Sequence, residues 1–459
     1  MLGAVVLIVY AALMLAATLI FTKRAQSKES FHVADRNLGA VPAALSIAAT
    51  WIWAPALFTS AEKAYTSGIP GVFWFLVPNV LCLIFFIPFA KRIREQCPQG
   101  ITLTGYMTQV YHSHKVKSVY TFQLGTLAVL STAVQLLAGG KMLAGLLNVP
   151  LWIVTIILAA IAYSYSRFSG LKASVATDVI QLGIILTGCF LLVPWTVAES
   201  GGASAIQRGL ASVTGEYGEL LSASGAEVFL GFGLPTTVGL LSGPFGDQCF
   251  WQRAFAIKKN RIGRAFFIGA LIFGLVPLSL SMVGFAAAGT GFAAADPSMV
   301  NMEFIMSKLP AWVLAPFLMM VISGLLSTVD SNLCAAASMT TDWQTKGDNI
   351  KVSRYTMLGL LCISIAIANI PGLTVTHLFL FYGTLRASTL LPTVLTLLGK
   401  KLTANGVFAG VVSALCIGLP IFAAGSLMDH ALLKTAGSLT TVLLSGLVAL
   451  TVSRKKVRV

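Results

Sequence analysis

Apolar runs of about 20 residues recur along the whole chain, separated by short polar stretches. A helix needs about 20 apolar residues to cross a ~30 Å hydrocarbon core. On that spacing the sequence predicts thirteen membrane-spanning helices, near residues 3–22, 40–66, 70–90, 118–147, 151–166, 173–196, 226–251, 265–289, 310–341, 353–370, 373–398, 403–424 and 436–453. The first run, Gly3 to Thr22, lacks a basic leading region and reads as a span, not a cleaved leader. No intervening segment is long enough for a soluble catalytic domain. The longest outer connection, 198–225, is rich in Gly and Ser and reads as a cover. The expected fold class is therefore an all-α polytopic membrane protein.

Two of these runs contain helix-breaking residues. The second places Pro55 behind Ala48-Ala49-Thr50-Trp51-Ile52-Trp53-Ala54. A proline inside a span removes a backbone donor and clashes with the carbonyl one turn back. Lipid cannot satisfy the freed groups, so protein, an ion or a ligand must. The seventh run carries Gly231, Gly233, Pro235, Gly239, Gly243, Pro244 and Gly246. Two interrupted spans, five apart in order, are the mark of a transporter built from inverted repeats with its site at the breaks. Each break read alone is also compatible with a simple kink at a helix contact.

Charge sets the expected orientation. The junctions after the odd-numbered spans hold the basic residues: Lys23, Arg24, Lys28 and Arg36 after the first, Arg253, Lys258, Lys259, Arg261 and Arg264 after the seventh, Lys346, Lys351 and Arg354 after the ninth, and Arg454 to Arg458 in the tail. The alternate junctions are nearly free of them. The positive-inside rule then predicts an N-terminus outside and a C-terminus inside, in the inner (plasma) membrane. The net charge of +15 is thus orientation bias, with no nucleic-acid partner implied. Hydrophobic residues make up 56% of the chain and charged ones 10%, and the mean hydropathy is +0.85. Seven cysteines without CxxC spacing suggest neither a disulfide framework nor a metal cluster. The five histidines do not cluster as a membrane-embedded enzyme would require.

Charges inside apolar runs are functional-site candidates. Asp330 is the one charge in the long ninth run, within Gly324-Leu325-Leu326-Ser327-Thr328-Val329-Asp330-Ser331. At about 100° per residue, Gly324, Ser327, Thr328, Asp330 and Ser331 fall within roughly 160° of helix face. That face offers oxygen ligands only, which suits a hard cation such as Na⁺. Asp178 is alone in the stretch 173–197. It reads either as a helix-end group bonded to Arg167 or Lys172, or as part of an ion site. Arg386 lies about 20 Å along a helix from Lys400-Lys401, well inside the membrane. It would either grip a substrate carboxylate or pair with an internal acid such as Asp330 or Asp247.

Several stretches resemble the solute:sodium symporter family: the Phe31 to Gly39 loop, Thr177-Asp178-Val179-Ile180-Gln181, Asp247 to Ala254, and Ser327 to Ser331. The resemblance covers essentially the whole chain. Trp51-Ile52-Trp53, Tyr65-Thr66-Ser67-Gly68 and Phe73-Trp74-Phe75 look most like urea-type members. The resemblance implies a five-plus-five inverted-repeat, leucine-transporter-like core with one extra helix before it and two after. The chain would then divide into 1–39, an extra helix and first cytoplasmic loop; 40–197, the first repeat; 198–225, an external loop; 226–399, the second repeat; and 400–459, two helices and a basic tail. It also implies a main Na⁺ site formed by the carbonyls of Ala48, Trp51 and Gly324 and the hydroxyls of Ser327 and Thr328. A second site, for Na⁺ or H⁺, would use Ser327, Asp178, Asp330 and Ser331. Here the chain departs from the family, because Asp330 stands where serine is common. Two close carboxylates repel unless a cation or proton lies between them.

For the substrate, the expected residues are Trp51, Trp53, Gln135, Phe232, Asp247, Gln248 and Arg386, gathered around the two breaks near the midplane. The family often has an aromatic gate two residues past Asp247, and this chain has Cys249 there. The expected function is sodium-coupled import of a small polar organic solute, with one or two Na⁺ per cycle and H⁺ as an option. The solute would be urea-like or an amino acid or carboxylate. No cofactor, catalytic residue or obligate protein partner is expected beyond solute, ions and bilayer. A proton-coupled symporter and a transporter-fold sensor that binds without net transport remain as alternatives. A channel would not need two broken helices in one long chain.

Overall fold

The computed structural model describes residues 2–22, 27–344 and 349–457. Lys23, Arg24, Lys346 and Arg458, counted above among the basic junctions and tail, lie outside the described residues. Among those described, secondary structure is helical apart from one isolated bridge between Leu38 and Ile257. Among the described residues, twelve helices are long and apolar enough to cross a membrane. They coincide with every predicted span except the second.

That second span is in pieces. A twelve-residue helix, Ala40–Trp51, ends at Ile52 and Trp53, whose backbones leave the helical region (φ −83°, ψ 83° and φ −107°, ψ 176°). A short turn, Ala54–Leu57, follows, with Pro55 in its first turn. There a proline costs little, since its missing N–H would have had no helical partner anyway. The proline thus starts the second half of the span and does not kink a continuous helix.

The chain then enters the 38-residue segment Thr59–Gln96, two helices joined at a kink at Gly68 (φ 57°, ψ −147°). A Cβ at Gly68 would lie 2.3 Å from the Tyr217 carbonyl oxygen. The segment 198–225 closes over this turn, with Ile69 N–H donating to Leu210 O and Val213 N–H to Tyr65 O. The boundary expected at 67–69 therefore falls on a residue that must be glycine.

The seventh span is broken as well. Ala223–Val228 passes through a π-turn at Phe229–Gly233 into Leu234–Leu241. Residues 242–247 are non-helical, and Gln248–Ala256 follows. The glycines of this segment permit close approach of neighbours. A Cβ on Gly239 would be 3.1 Å from Gly383 Cα, one on Gly243 2.5 Å from the Trp51 ring, and one on Gly246 2.7 Å from Arg386 O. The Leu314–Met339 helix is the buried centre of the molecule, packed against Leu171–Glu199, His114–Leu147 and Ala40–Trp51.

On one face the loop after the first helix is pinned to the core. Ala34, Asp35 and Arg36 adopt positive φ (49°, 55° and 53°). Arg36 donates to Glu29, Gly100 O and Gln99 O, and Asp35 pairs with Lys172.

Candidate functional site

Where the first broken helix ends, it meets the Leu314–Met339 helix. A Cβ on Gly324 would stand 3.1 Å from Ile52 O and 2.8 Å from Leu57 Cδ1, so only glycine lets the two approach this closely. One turn on, the Thr328 hydroxyl lies 3.1 Å from Thr50 O and 3.3 Å from Gly324 O. Ser327 donates to Asp178 Oδ1 at 2.5 Å. The Ala48 carbonyl accepts from Ile52 N–H at 2.9 Å and keeps a second lone pair. The donor set is oxygen only, from two hydroxyls and the carbonyls around a helix break, and it fits a hard monovalent cation. Among the described residues no group of three or more His, Cys, Asp or Glu is assembled.

Behind this lies a wholly buried ionic cluster. Arg253 Nη2 is 3.1 Å from Asp178 Oδ2 and 2.8 Å from Ser331 Oγ, and its Nε is 3.0 Å from Ser46 Oγ. Ser46 in turn donates to Asp178 Oδ2 at 2.6 Å. Asp178, Arg253, Ser46 and Ser331 are all fully buried. Asp330 accepts from Ser174 at 2.7 Å, with Thr177 at 3.3 Å and Ser331 at 3.4 Å. Thr50 and Ser331 are joined at 2.9 Å, which links this cluster to the break. Two carboxylates and one guanidinium leave a formal charge of −1 if both acids are ionised.

Arg253 is the residue that sequence reasoning misplaced. Counted above with the cytoplasmic loop charges, it instead sits inside the protein as the partner of Asp178. Neither Arg167 nor Lys172 plays that part, since Lys172 pairs with Asp35 and the Arg167 guanidinium lies over the Tyr163 ring. A signal was present: Arg253 is followed by Ala254-Phe255-Ala256-Ile257, an apolar run unlike a solvated loop.

The second gathering point is Arg386. Its Nη2 is 3.0 Å from Asp247 Oδ2, which decides between the acids left open by the sequence. Its guanidinium carbon lies 5.2, 5.3 and 4.8 Å from the ring centroids of Trp51, Trp53 and Tyr382. The two indoles stack at 5.5 Å. Thus the first break supplies Trp51 and Trp53, the second supplies Asp247, and Arg386 bridges them. Asp247 Oδ1 also caps the helix after the second break by accepting from Cys249 N–H at 2.9 Å.

The other three substrate candidates are not in the Arg386 cluster, though Gln135 is at the first break. Gln135 Oε1 accepts from Ala54 N–H at 2.7 Å and so holds the first break open. Gln248 bonds to Ile101 O, Leu103 N–H and Ser338, at the end of the molecule near residues 97–103. Phe232 is in the π-turn with Lys63 Nζ 4.9 Å over its ring. Tyr382, Ser46, Ser174 and Thr177 are site neighbours that the sequence did not single out.

Two interrupted helices meeting at buried polar clusters within a bundle of long apolar helices define a membrane carrier. Residues 31–414 match the profile of the Sodium:solute symporter family, and the chain belongs to that family. It is 23% identical over 448 residues to the Urea-proton symporter DUR3 of Oryza sativa subsp. japonica, aligning 86% of this chain with 60% of that one. To the Urea active transporter of Saccharomyces cerevisiae it is 23% identical over 462 residues, covering 90% and 61%. The chain therefore spans about three fifths of the length of both relatives. Its fold is similar to that of a Na⁺-coupled sialic acid symporter solved in a substrate-bound outward-open state, with a TM-score of 0.78, 15% identity and 98% of each chain covered. The fold is the leucine-transporter-like one expected above, and the family is one of transporters, not enzymes.

Proposed function

We propose that this protein is a sodium-coupled symporter that imports a small polar organic solute across the plasma membrane by alternating access, with its N-terminus outside and C-terminus in the cytoplasm. One observation carries the reading. The Gly324-Ser327-Thr328 face lies directly against the helix break, with the Thr328 hydroxyl 3.1 Å from Thr50 O. Ala48, Trp51, Gly324, Ser327 and Thr328 would hold the main Na⁺; the Arg253 guanidinium already stands 3.1 Å from Asp178 and 2.8 Å from Ser331, so a second Na⁺ or a proton would share those oxygens with it and fall chiefly to Asp330. A Na⁺ bound there joins two separate helices, so it favours conformations in which they touch. Coupling follows from that difference in affinity. Solute would bind where Trp51, Trp53, Asp247 and Arg386 converge.

Reconstitution into liposomes tests this. An inward Na⁺ gradient at equal pH on both sides should drive solute accumulation, and K⁺ in place of Na⁺ should not. A second reading, proton coupling, is favoured by the similarity to the rice urea-proton symporter. Accumulation driven by a pH gradient without Na⁺ would establish it. Binding without accumulation under either gradient would leave the sensor.

A further inference from the structure

Resting on the reading of this protein as a solute carrier, we infer that the solute it takes is neutral and planar and carries a carbonyl group, and that Arg386 and Asp247 select for it together. The two residues pair at 3.0 Å, and their side chains are 2% and 7% exposed. The box they form with Trp51, Trp53 and Tyr382 is therefore formally uncharged. A carboxylate entering it would bring an uncompensated negative charge into a desolvated site, because the positive charge of Arg386 is already met. A cation would be repelled by the guanidinium and would find the charge of Asp247 already met.

The hydrogen-bonding inventory points the same way. Arg386 Nε and Nη1, Trp53 Nε1 and the Tyr382 hydroxyl are all buried, and none has a protein partner among the described residues. Three of these four groups can only donate. Buried unpaired donors are costly, and in native proteins such groups await water or ligand. What complements three donors is an acceptor oxygen with two lone pairs, and a carbonyl supplies it without charge. Asp247 Oδ2, which already accepts from Arg386 Nη2, has lone pairs left to receive a solute N–H. The aromatic walls favour a flat solute, since the guanidinium itself lies over all three rings within 5.3 Å.

Four probes of similar size separate the alternatives: urea and acetamide are neutral carbonyl compounds, acetate is the anionic isostere of acetamide, and guanidinium is the cationic isostere of urea without an acceptor. Purified full-length protein in NaCl is titrated with each while its thermal midpoint is followed, and uptake is measured in the liposomes described above. Urea or acetamide should raise the midpoint and be taken up at least tenfold better than acetate or guanidinium. Asp247→Asn, which removes the countercharge while keeping the shape, should shift the acetamide-to-acetate ratio towards acetate by at least tenfold. Preference of the wild-type protein for acetate or guanidinium overturns the inference and leaves Na⁺-driven uptake standing. Na⁺-dependent stabilisation with no response to any of the four also overturns it. Absence of uptake under either a Na⁺ or a pH gradient, together with a selective midpoint shift for urea or acetamide, supports the assigned solute chemistry and removes the carrier reading. The wild-type panel stands by itself if the Asn variant fails to fold.

Discussion

The Thr328 hydroxyl reaches the carbonyl of Thr50 at 3.1 Å across two helices that are 278 residues apart in sequence. This contact joins the broken helix to the largely buried Leu314–Met339 helix. In the proposed cycle the same oxygens turn to Na⁺. Thr328→Ala should therefore raise the Na⁺ concentration for half-maximal uptake about tenfold or more, with protein level nearly unchanged. Ser327→Ala should do the same. Unaltered Na⁺ activation curves in both variants would remove these residues from the ion site.

Gly324→Ala tests the approach of the two helices without touching a ligand side chain. Its new methyl would have to displace Leu57 Cδ1 at 2.8 Å and crowd Ile52 O at 3.1 Å. Overpacking of this kind costs about 1–3 kcal/mol. A lowered thermal midpoint in detergent is expected, together with weaker Na⁺ activation. A midpoint equal to wild type would show that the break yields freely.

The Asp178–Arg253 pair is expected to be unforgiving of single changes. Arg253→Gln leaves a carboxylate buried without its cation, at a cost of about 3–5 kcal/mol. Asp178→Asn leaves the reverse. Combining them should recover more than half of the loss, because the pair is neutralised together. Denaturant unfolding of all four proteins in a double-mutant cycle measures the coupling. Simple additivity would mean the two side chains act independently.

Gln135 has a specific duty at the break, since its Oε1 receives the Ala54 N–H at 2.7 Å. Gln135→Met keeps the length and removes the acceptor. Leaving that N–H unpaired costs about 1–3 kcal/mol. The expected outcome is a lower thermal midpoint and impaired uptake at saturating Na⁺. Full uptake would show that the start of the Ala54–Leu57 turn needs no side-chain acceptor.

His32 gives a pH signature outside the spans. Burial, with Lys28 adding to it, pushes its imidazole down to about 3 from its ordinary value of 6.5. The unfolded chain binds a proton that the folded loop refuses, so stability rises with pH through this window and is lost as pH falls below about 6.5 towards 3. Between pH 6.5 and 4 the thermal midpoint should fall more steeply in wild type than in His32→Gln. Parallel curves would mean that His32 is not held neutral.

The apolar runs were readable because a bilayer imposes one length and one polarity on every crossing. The broken helices were readable because Pro55 and the glycines from Gly231 to Gly246 have no other use at that density. Pairings were not. Arg253 finds Asp178 across 75 residues and Arg386 finds Asp247 across 139, and no local pattern encodes such distances. The Lys/Arg count also treats every cation near a span end as solvated, which Arg253 is not. Gln135 illustrates a subtler gap. Its amide plainly required a partner, yet the partner is a backbone group that exists only because another helix is interrupted.

The helix Ala40–Trp51 has twelve residues. At 1.5 Å per residue it rises ~18 Å, slightly more than half of a ~30 Å hydrocarbon core. If that helix starts at one edge of the core, a cation held at its end, as proposed, would sit roughly midway through the transmembrane electric field, whichever way the chain is inserted. One elementary charge crossing the full field at 100 mV is worth ~2.3 kcal/mol, so half the journey is worth about 1.2 kcal/mol. Membrane voltage alone would then change the apparent ion affinity of this site about sevenfold, and a depolarised cell would need that much more sodium to load it.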